Sequence, residues 1–225
     1  MNQIVKIPQA KNEAVKPYAP GDPDTLNLKS KLQEMKNTTV DIPMYIGGEK
    51  VFTDEKVSIH PPHEINHSLG SFNKGNASHV EAAINAALKA KENWANMPWE
   101  SRAAIFLRAA DFLAGPYRDK MNAATMLAQS KNAMQAEIDA ACEMIDFFKF
   151  NVQYMSEIYA QQPPENSPGV WNQLEYRPLE GFVFALSPFN FTSIAANLCS
   201  APAMMGNTIV WKPAETQIYS AQVIM

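Results

Sequence analysis

The sequence is short of cysteine, of glycine and of basic charge, and each shortage removes a class of protein. Two cysteines in 225 residues, Cys142 and Cys199, cannot build a disulfide framework and fit a reducing compartment. Nine glycines leave no Gly-x-Gly-x-x-Gly fingerprint and no Gly-x-x-x-x-Gly-Lys-Ser/Thr loop, so a standard phosphate cradle is absent from these residues. A Gly-x-Ser-x-Gly nucleophile elbow is missing too. With 19 Lys plus Arg against 23 Asp plus Glu, the formal net charge is −4. No basic stripe exists to neutralise phosphates, which argues against a nucleic-acid partner. No apolar run approaches the ~18–20 residues of a membrane span, so no membrane partner is expected. What is present is ordinary globular composition, 46% apolar and 19% charged, and this excludes intrinsic disorder.

Residues 1–43 read as an extended N-terminal arm. Pro17-Tyr18-Ala19-Pro20-Gly21-Asp22-Pro23 favours turns over helix. A short amphipathic helix comes next, on Leu26, Leu28, Leu32 and Met35. The arm has no Arg and includes Glu13 and Asp22, unlike a mitochondrial presequence, and it lacks the apolar core of a secretory signal. A cytoplasmic location is the expectation. Met44-Tyr45-Ile46 and Val51-Phe52 flank Gly47-Gly48, which predicts a hairpin.

Residues 44–162 form the hairpin and a helical region. Ser78, with Glu81 three residues on, predicts a capping box. The apolar line of that first helix is Val80, Ile84, Ala87, Leu88 and Trp94. Pro98 opens a second helix with Ile105, Phe106, Ala109, Phe112 and Leu113 inward, and Gly115-Pro116 ends it. A third spans about Tyr117 to Gln129. The fourth, about Ala133 to Ala160, carries Met134, Ile138, Ala141, Ile145, Phe148, Val152, Met155 and Tyr159 in alternating steps of four and three. That stripe suits packing against neighbouring helices and, less favoured, a coiled coil.

After residue 162 the pattern changes. Residues 170–177 alternate loosely and suggest an exposed strand. Gly181–Leu186 is nearly all apolar, as expected of a strand buried on both faces. An apolar helix over about Ile194–Met205, a second apolar strand Thr208–Trp211 and a helix near Thr216 complete a parallel strand–helix–strand unit. Ligands of such sheets sit beyond the carboxyl ends of the strands. Ser187–Phe191 and Lys212–Glu215 both lie there.

Several residues can carry chemistry. Asn190 can donate to an oxygen that becomes negative during acyl-type chemistry, or simply cap the following helix. Lys212 can donate to nucleotide ribose hydroxyls and Glu215 accept from them, or both can belong to a solvated loop. Glu143 lies on a largely apolar second face of the long helix and must be paired, protonated or facing a ligand, unless it is a plain surface residue. His60, His63 and His67 have ligand-like spacing, but with Glu64 the only nearby carboxylate and no nearby cysteine a metal is disfavoured. Cys142 and Cys199 read as small buried hydrophobes.

Ser187-Pro188-Phe189-Asn190-Phe191, followed after a helix by Trp211-Lys212-Pro213, resembles the aldehyde dehydrogenase superfamily. Pro17–Gly21, Gln135–Ala141 and Ile145–Phe148 are similar to its 1-pyrroline-5-carboxylate dehydrogenase branch. The resemblance implies an α/β fold: an N-terminal helical region plus the first strand–helix–strand part of a Rossmann-like NAD-binding domain, incomplete, with residues 181–225 as that part. It implies NAD as cofactor and oxidation of glutamate γ-semialdehyde to glutamate, in proline catabolism. Asn190 then corresponds to the oxyanion stabiliser. Ser187 and Lys212 correspond to NAD-contacting positions, beside Glu215. Phe191 corresponds to an aromatic on the substrate's aliphatic stem, and Glu143 to a carboxylate near its amino group. Residues 163–180 correspond to the start of an oligomerisation hairpin, implying a homo-oligomer. Neither cysteine sits in the context of the family's nucleophile, its general-base glutamate has no counterpart, and the last residues run on as helix without a stop signal. The expectation is therefore the N-terminal portion of a longer enzyme, inactive alone. The alternative is a non-catalytic helical binding or assembly module.

Overall fold

The computed structural model describes residues 5–225. From residue 5 to Asp22 the described chain has no helix or strand, as its prolines dictate. Its backbone groups are met by side chains of the helical region. The Ala10 amide donates to Gln153 Oε1 (2.9 Å), Glu13 to Asp146 Oδ1 (2.7 Å) and Lys16 to Glu137 Oε1 (2.8 Å). The rest of the segment predicted as an extended arm is regular. Helix α1 (Pro23–Lys36) starts on a proline at its first turn and buries Leu28. Strand β1 (Val40–Ile42) comes next, and it escaped prediction because three residues carry too little pattern.

Strands β2 (Met44–Ile46) and β3 (Glu49–Val51) form the expected hairpin. Gly47 (φ 62°) and Gly48 (φ 89°) both adopt the positive φ that its tight turn requires. Strand β4 (Lys56–Ile59) pairs antiparallel with β5 (Gly70–Asn73), and β5 pairs parallel with β1, in the order β1-β5-β4. At Gly70 (φ 120°) a side chain would collide with the Val40 backbone, so glycine permits this pairing.

The chain then enters helices α2 (Ala77–Ala95), α3 (Trp99–Ala114) and α4 (Arg118–Gln129). The cap of α2 is Asn76, which accepts from the Ser78 and His79 amides, while His79 closes the capping box; Ser78 lies inside the helix. The expected apolar faces are only partly buried. Val80, Leu88, Ile105 and Phe112 are exposed, whereas Ala87, Ala103, Ala110 and Leu113 are buried. Small residues permit close helix packing, and the larger ones face outward.

The long fourth helix is interrupted. Helix α5 (Ala133–Ala136) runs into a π turn at Glu137–Cys142 and on into α6 (Glu143–Tyr159). A π turn adds a residue and so rotates the helical faces on its two sides relative to each other. Ala141 is buried, and the C-terminal part of the stripe, Ile145, Phe148, Val152 and Met155, is buried against α3 and a later helix, α7 (Thr192–Met204). Met134 and Ile138 are swung into solvent and Glu137 is buried in their place. The stripe is thus an internal helix-packing face and not a coiled coil.

Residues 170–177 form no strand. The Asn172 and Leu174 amides donate to the side chains of Asn166 and Gln162, with no neighbouring strand among the described residues to supply ladder partners. Strands β6 (Val183–Leu186) and β7 (Ile209–Lys212) pair in parallel around α7. Here too the expectation fails in part: Ala185 is buried, but Phe184 and Leu186 on the other face are 58% and 59% exposed. A 3₁₀ turn (Glu215–Gln217) leads into α8 (Ile218–Ile224), whose Tyr219 joins a second core with the β1-β5-β4 sheet and α4.

Candidate active site at the strand ends

The parallel register ends with Leu186 opposite Lys212, which brings the two expected loops side by side. Ser187 is buried; its Oγ accepts from Trp211 Nε1 (2.9 Å), and its amide donates to the Lys212 carbonyl (3.3 Å). The Lys212 side chain and Glu215 are exposed beyond the strand end. Ser187 and Lys212 are therefore neighbours, while Glu215 opens the next helical turn.

Asn190 does not cap α7. Phe191 occupies that position, and no side chain bonds the free amides there. The Asn190 side chain stays exposed, but its backbone is pinned. Lys131 Nζ donates to the Asn190 carbonyl, and Gln217 Nε2 donates to the Phe191 carbonyl (2.9 Å). Just beyond, buried Thr192 Oγ1 bonds Thr125 (2.9 Å) and Gln129 (2.7 Å).

Glu143 is half-buried at the start of α6 and meets this loop. Ser193 Oγ lies 2.8 Å from Glu143 Oε2 and 3.1 Å from Asp139 Oδ1. Asp139 also pairs with Lys131, whose ammonium lies 4.3 Å from the centre of the Phe191 ring. So Glu143, Asn190 and Phe191 are brought together, with Ser187 and Lys212 along the same edge. Lys131, Asp139 and Ser193, which join them, escaped the sequence reading. The spacing of Asp139 and Glu143, four apart on one helical stretch, is the one signal that pointed at a shared face.

Behind this site a buried ionic cluster holds the π turn. Glu137 is fully buried and paired with Arg118, which also bonds Glu13 (2.7 Å) and the Ala14 carbonyl (2.7 Å). Tyr18 Oη (3.0 Å) and Asn122 Nδ2 (2.8 Å) donate to the same carboxylate. Burial opposes ionisation of Glu137, but the hydrogen bonds from Arg118, the Lys16 amide and Asn122 outweigh it, so the carboxyl titrates below its ordinary value. Burial, reinforced by the Glu137 charge, raises the Tyr18 phenol. Such a cluster needs every member, because a buried charge left alone is costly.

Neither cysteine joins the site. Burial pushes both thiols up to about 12, with the Glu137 charge adding to the effect at Cys142. Cys199 is half-buried rather than buried, next to exposed Leu198 on α7. The three histidines are turned to protein partners: His60 to the His67 carbonyl, His63 to Ser130 Oγ and His67 to the Lys36 carbonyl. Among the described residues no group of three or more His, Cys, Asp or Glu is placed to hold a metal.

Residues 52–225 match the aldehyde dehydrogenase family, and the chain belongs to it. Within that family it is 51% identical over 220 residues to delta-1-pyrroline-5-carboxylate dehydrogenase of Agaricus bisporus, covering 97% of this chain and 40% of that protein. It is 46% identical over 221 residues to the mitochondrial delta-1-pyrroline-5-carboxylate dehydrogenase of Emericella nidulans, covering 96% and 38%. The crystal structure of the Mycobacterium tuberculosis delta-pyrroline-5-carboxylate dehydrogenase bound with NAD matches with a TM-score of 0.98 at 48% identity, over 100% of this chain and 42% of that one. The chain thus spans about 40% of the length of these relatives. The expected mixed helix-and-sheet part of the aldehyde dehydrogenase fold is what the structure contains. Among the described residues no helix is long and apolar enough to cross a membrane.

Proposed function

We propose that the chain supplies the oxyanion donor and part of the nucleotide site of an NAD-dependent dehydrogenase that oxidises glutamate γ-semialdehyde to glutamate. The supporting observation is the exposed amide of Asn190, free of any capping role, on a loop pinned between β6 and α7 and shared with Phe191. Names of the relatives favour this substrate.

The Asn190 amide donates to the aldehyde oxygen as it gains negative charge under attack by a thiolate. Phe191 offers an apolar face to the aliphatic stem. Glu143, held by Ser193, accepts from the substrate ammonium. An exposed ammonium, a strand-end hydroxyl and a carboxylate, on Lys212, Ser187 and Glu215, match the hydroxyls of a dinucleotide. Lys212, Ser187 and Glu215 would hold NAD, which would supply the hydride acceptor for the oxidation. Neither Cys142 nor Cys199 suits the nucleophile's role, since burial keeps both thiols protonated at neutral pH.

Turnover of this chain with NAD and pyrroline-5-carboxylate should show no NADH above blank, and steady production would overturn its inactivity alone. In the full-length enzyme Asn190→Ala should lower kcat by about 10²–10³, and an unchanged rate would remove Asn190 from its role. Residues 163–180 belong, on this reading, to a hairpin that pairs copies of the enzyme; sedimentation of the full-length protein tests that. The cytoplasmic location rests on the arm's lack of arginine, against the mitochondrial name of the Emericella relative. Fractionation of cells expressing the native protein decides between them.

A further inference from the structure

We propose that Lys131 is the positioning residue for the oxyanion donor. It lies in the short link between α4 and α5, after Ser130, whose positive φ of 55° turns the chain toward the strand ends. Its side chain is only 16% exposed. An ammonium has three N–H donors. One goes to the Asp139 carboxylate, one to the Asn190 carbonyl, and the charge lies over the Phe191 ring at 4.3 Å. With two of its three donors directed onto protein, Lys131 is set to hold groups rather than to bind substrate.

What it holds is the peptide between the two residues that the proposed reaction uses. Gln217 fixes the next carbonyl, that of Phe191, so the two successive peptides that follow the Asn190 side chain are both held, and the Lys131 contact is the nearer one. Lys131 also offsets one of the two carboxylate charges there. Ser193 has a single hydroxyl proton for two carboxylates, Asp139 and Glu143, and the Lys131 charge beside Asp139 lets both remain close. A misplacement of about 1 Å in such a site can cost ~10²-fold in rate.

This inference rests on Asn190 being the oxyanion donor. In the full-length enzyme Lys131→Met should lower kcat by ~10–10²-fold with NAD affinity unchanged, and Lys131→Arg should recover most of the loss. In the double variant, Lys131→Met should cost little beyond Asn190→Ala, because it acts through a residue already removed. Additive losses in the double variant, or an unchanged kcat in Lys131→Met, would overturn the proposal while Asn190→Ala still reports on the parent reading. If Asn190→Ala itself keeps full activity, the parent reading fails instead. If Lys131→Met does not fold, the Arg variant and its combination with Asn190→Ala give the same two comparisons; full activity of Lys131→Arg alongside a losing Lys131→Gln supports the role, and equal loss in both overturns it.

Discussion

Around Glu137 the chain buries a carboxylate and pairs it with Arg118, whereas around β6 it leaves large apolar side chains in solvent. The first region closes on itself. The irregular N-terminal arm supplies Glu13, the Ala14 carbonyl, the Lys16 amide and Tyr18, and the helices supply Arg118, Asn122 and Glu137. The second region is open. One face of β6 shows Phe184 and Leu186, and Phe189 of the adjoining loop is 62% exposed. A patch of this kind marks a surface that functions covered. The difference teaches where this chain is self-sufficient: its helical half pairs the buried Glu137 carboxylate within itself, while its sheet presents an exposed apolar face and strand ends.

The largest effect should come from breaking the closed region. Arg118→Met leaves Glu137 charged, buried and unpaired, and should cost about 3–5 kcal/mol, read as a large drop in the urea midpoint. A midpoint within error of the parent would show that the arm and π turn are not held by this pair.

Next in size is the contrast within one apolar stripe. Ile145→Ala removes a fully buried side chain and should cost about 2–5 kcal/mol. Ile138→Ala, one heptad earlier and inside the π turn, should change stability by less than about 0.5 kcal/mol. Equal losses at the two positions would mean an uninterrupted α-helix.

Acid should find the closed region first. The Glu137 and Glu13 carboxyls both titrate below their ordinary 4.5 in the folded chain. At Glu13 burial acts in the opposite direction and is outweighed by hydrogen bonds from Lys149 and Arg118. A depressed folded-state value contributes stability above pH 4.5 that is lost as pH falls through the folded value. Melting temperature should therefore drop steeply below that point, and less steeply in Glu137→Gln. A parallel decline in both would assign the acid sensitivity elsewhere.

The smallest effect is expected on the open region. Phe184→Ser should alter stability by no more than about 0.5 kcal/mol while reducing self-association in light scattering. A loss of several kcal/mol would mean that this face is packed after all.

Much of this was legible from residue order. The prolines of the arm, Gly47-Gly48, the stop at Gly115-Pro116 and the apolar strand–helix–strand run each impose a local geometry that neighbours cannot easily override. Ser187, Lys212, Asn190 and Phe191 were legible too, since strand ends in a parallel unit are fixed by where the apolar run stops. The π turn was not. Its one-residue insertion depends on seating Glu137 against Arg118, two groups separated by the whole of α4, and no periodicity records that. The same holds for Lys131 and Ser193, which come from different elements. The short strands β1 and β5 depend on each other across a gap in sequence that holds the entire hairpin.

By itself the sequence determined the class of fold, the main helices, the strand–helix–strand unit and the strand ends at which two polar loops meet, because φ preferences and apolar runs act over a few residues. Only the tertiary structure decided which faces are buried, how the long helix is broken and which side chains hold Asn190 and Glu143 in place. Those outcomes turn on pairing charges and filling space between distant segments, and both are settled only when the segments meet.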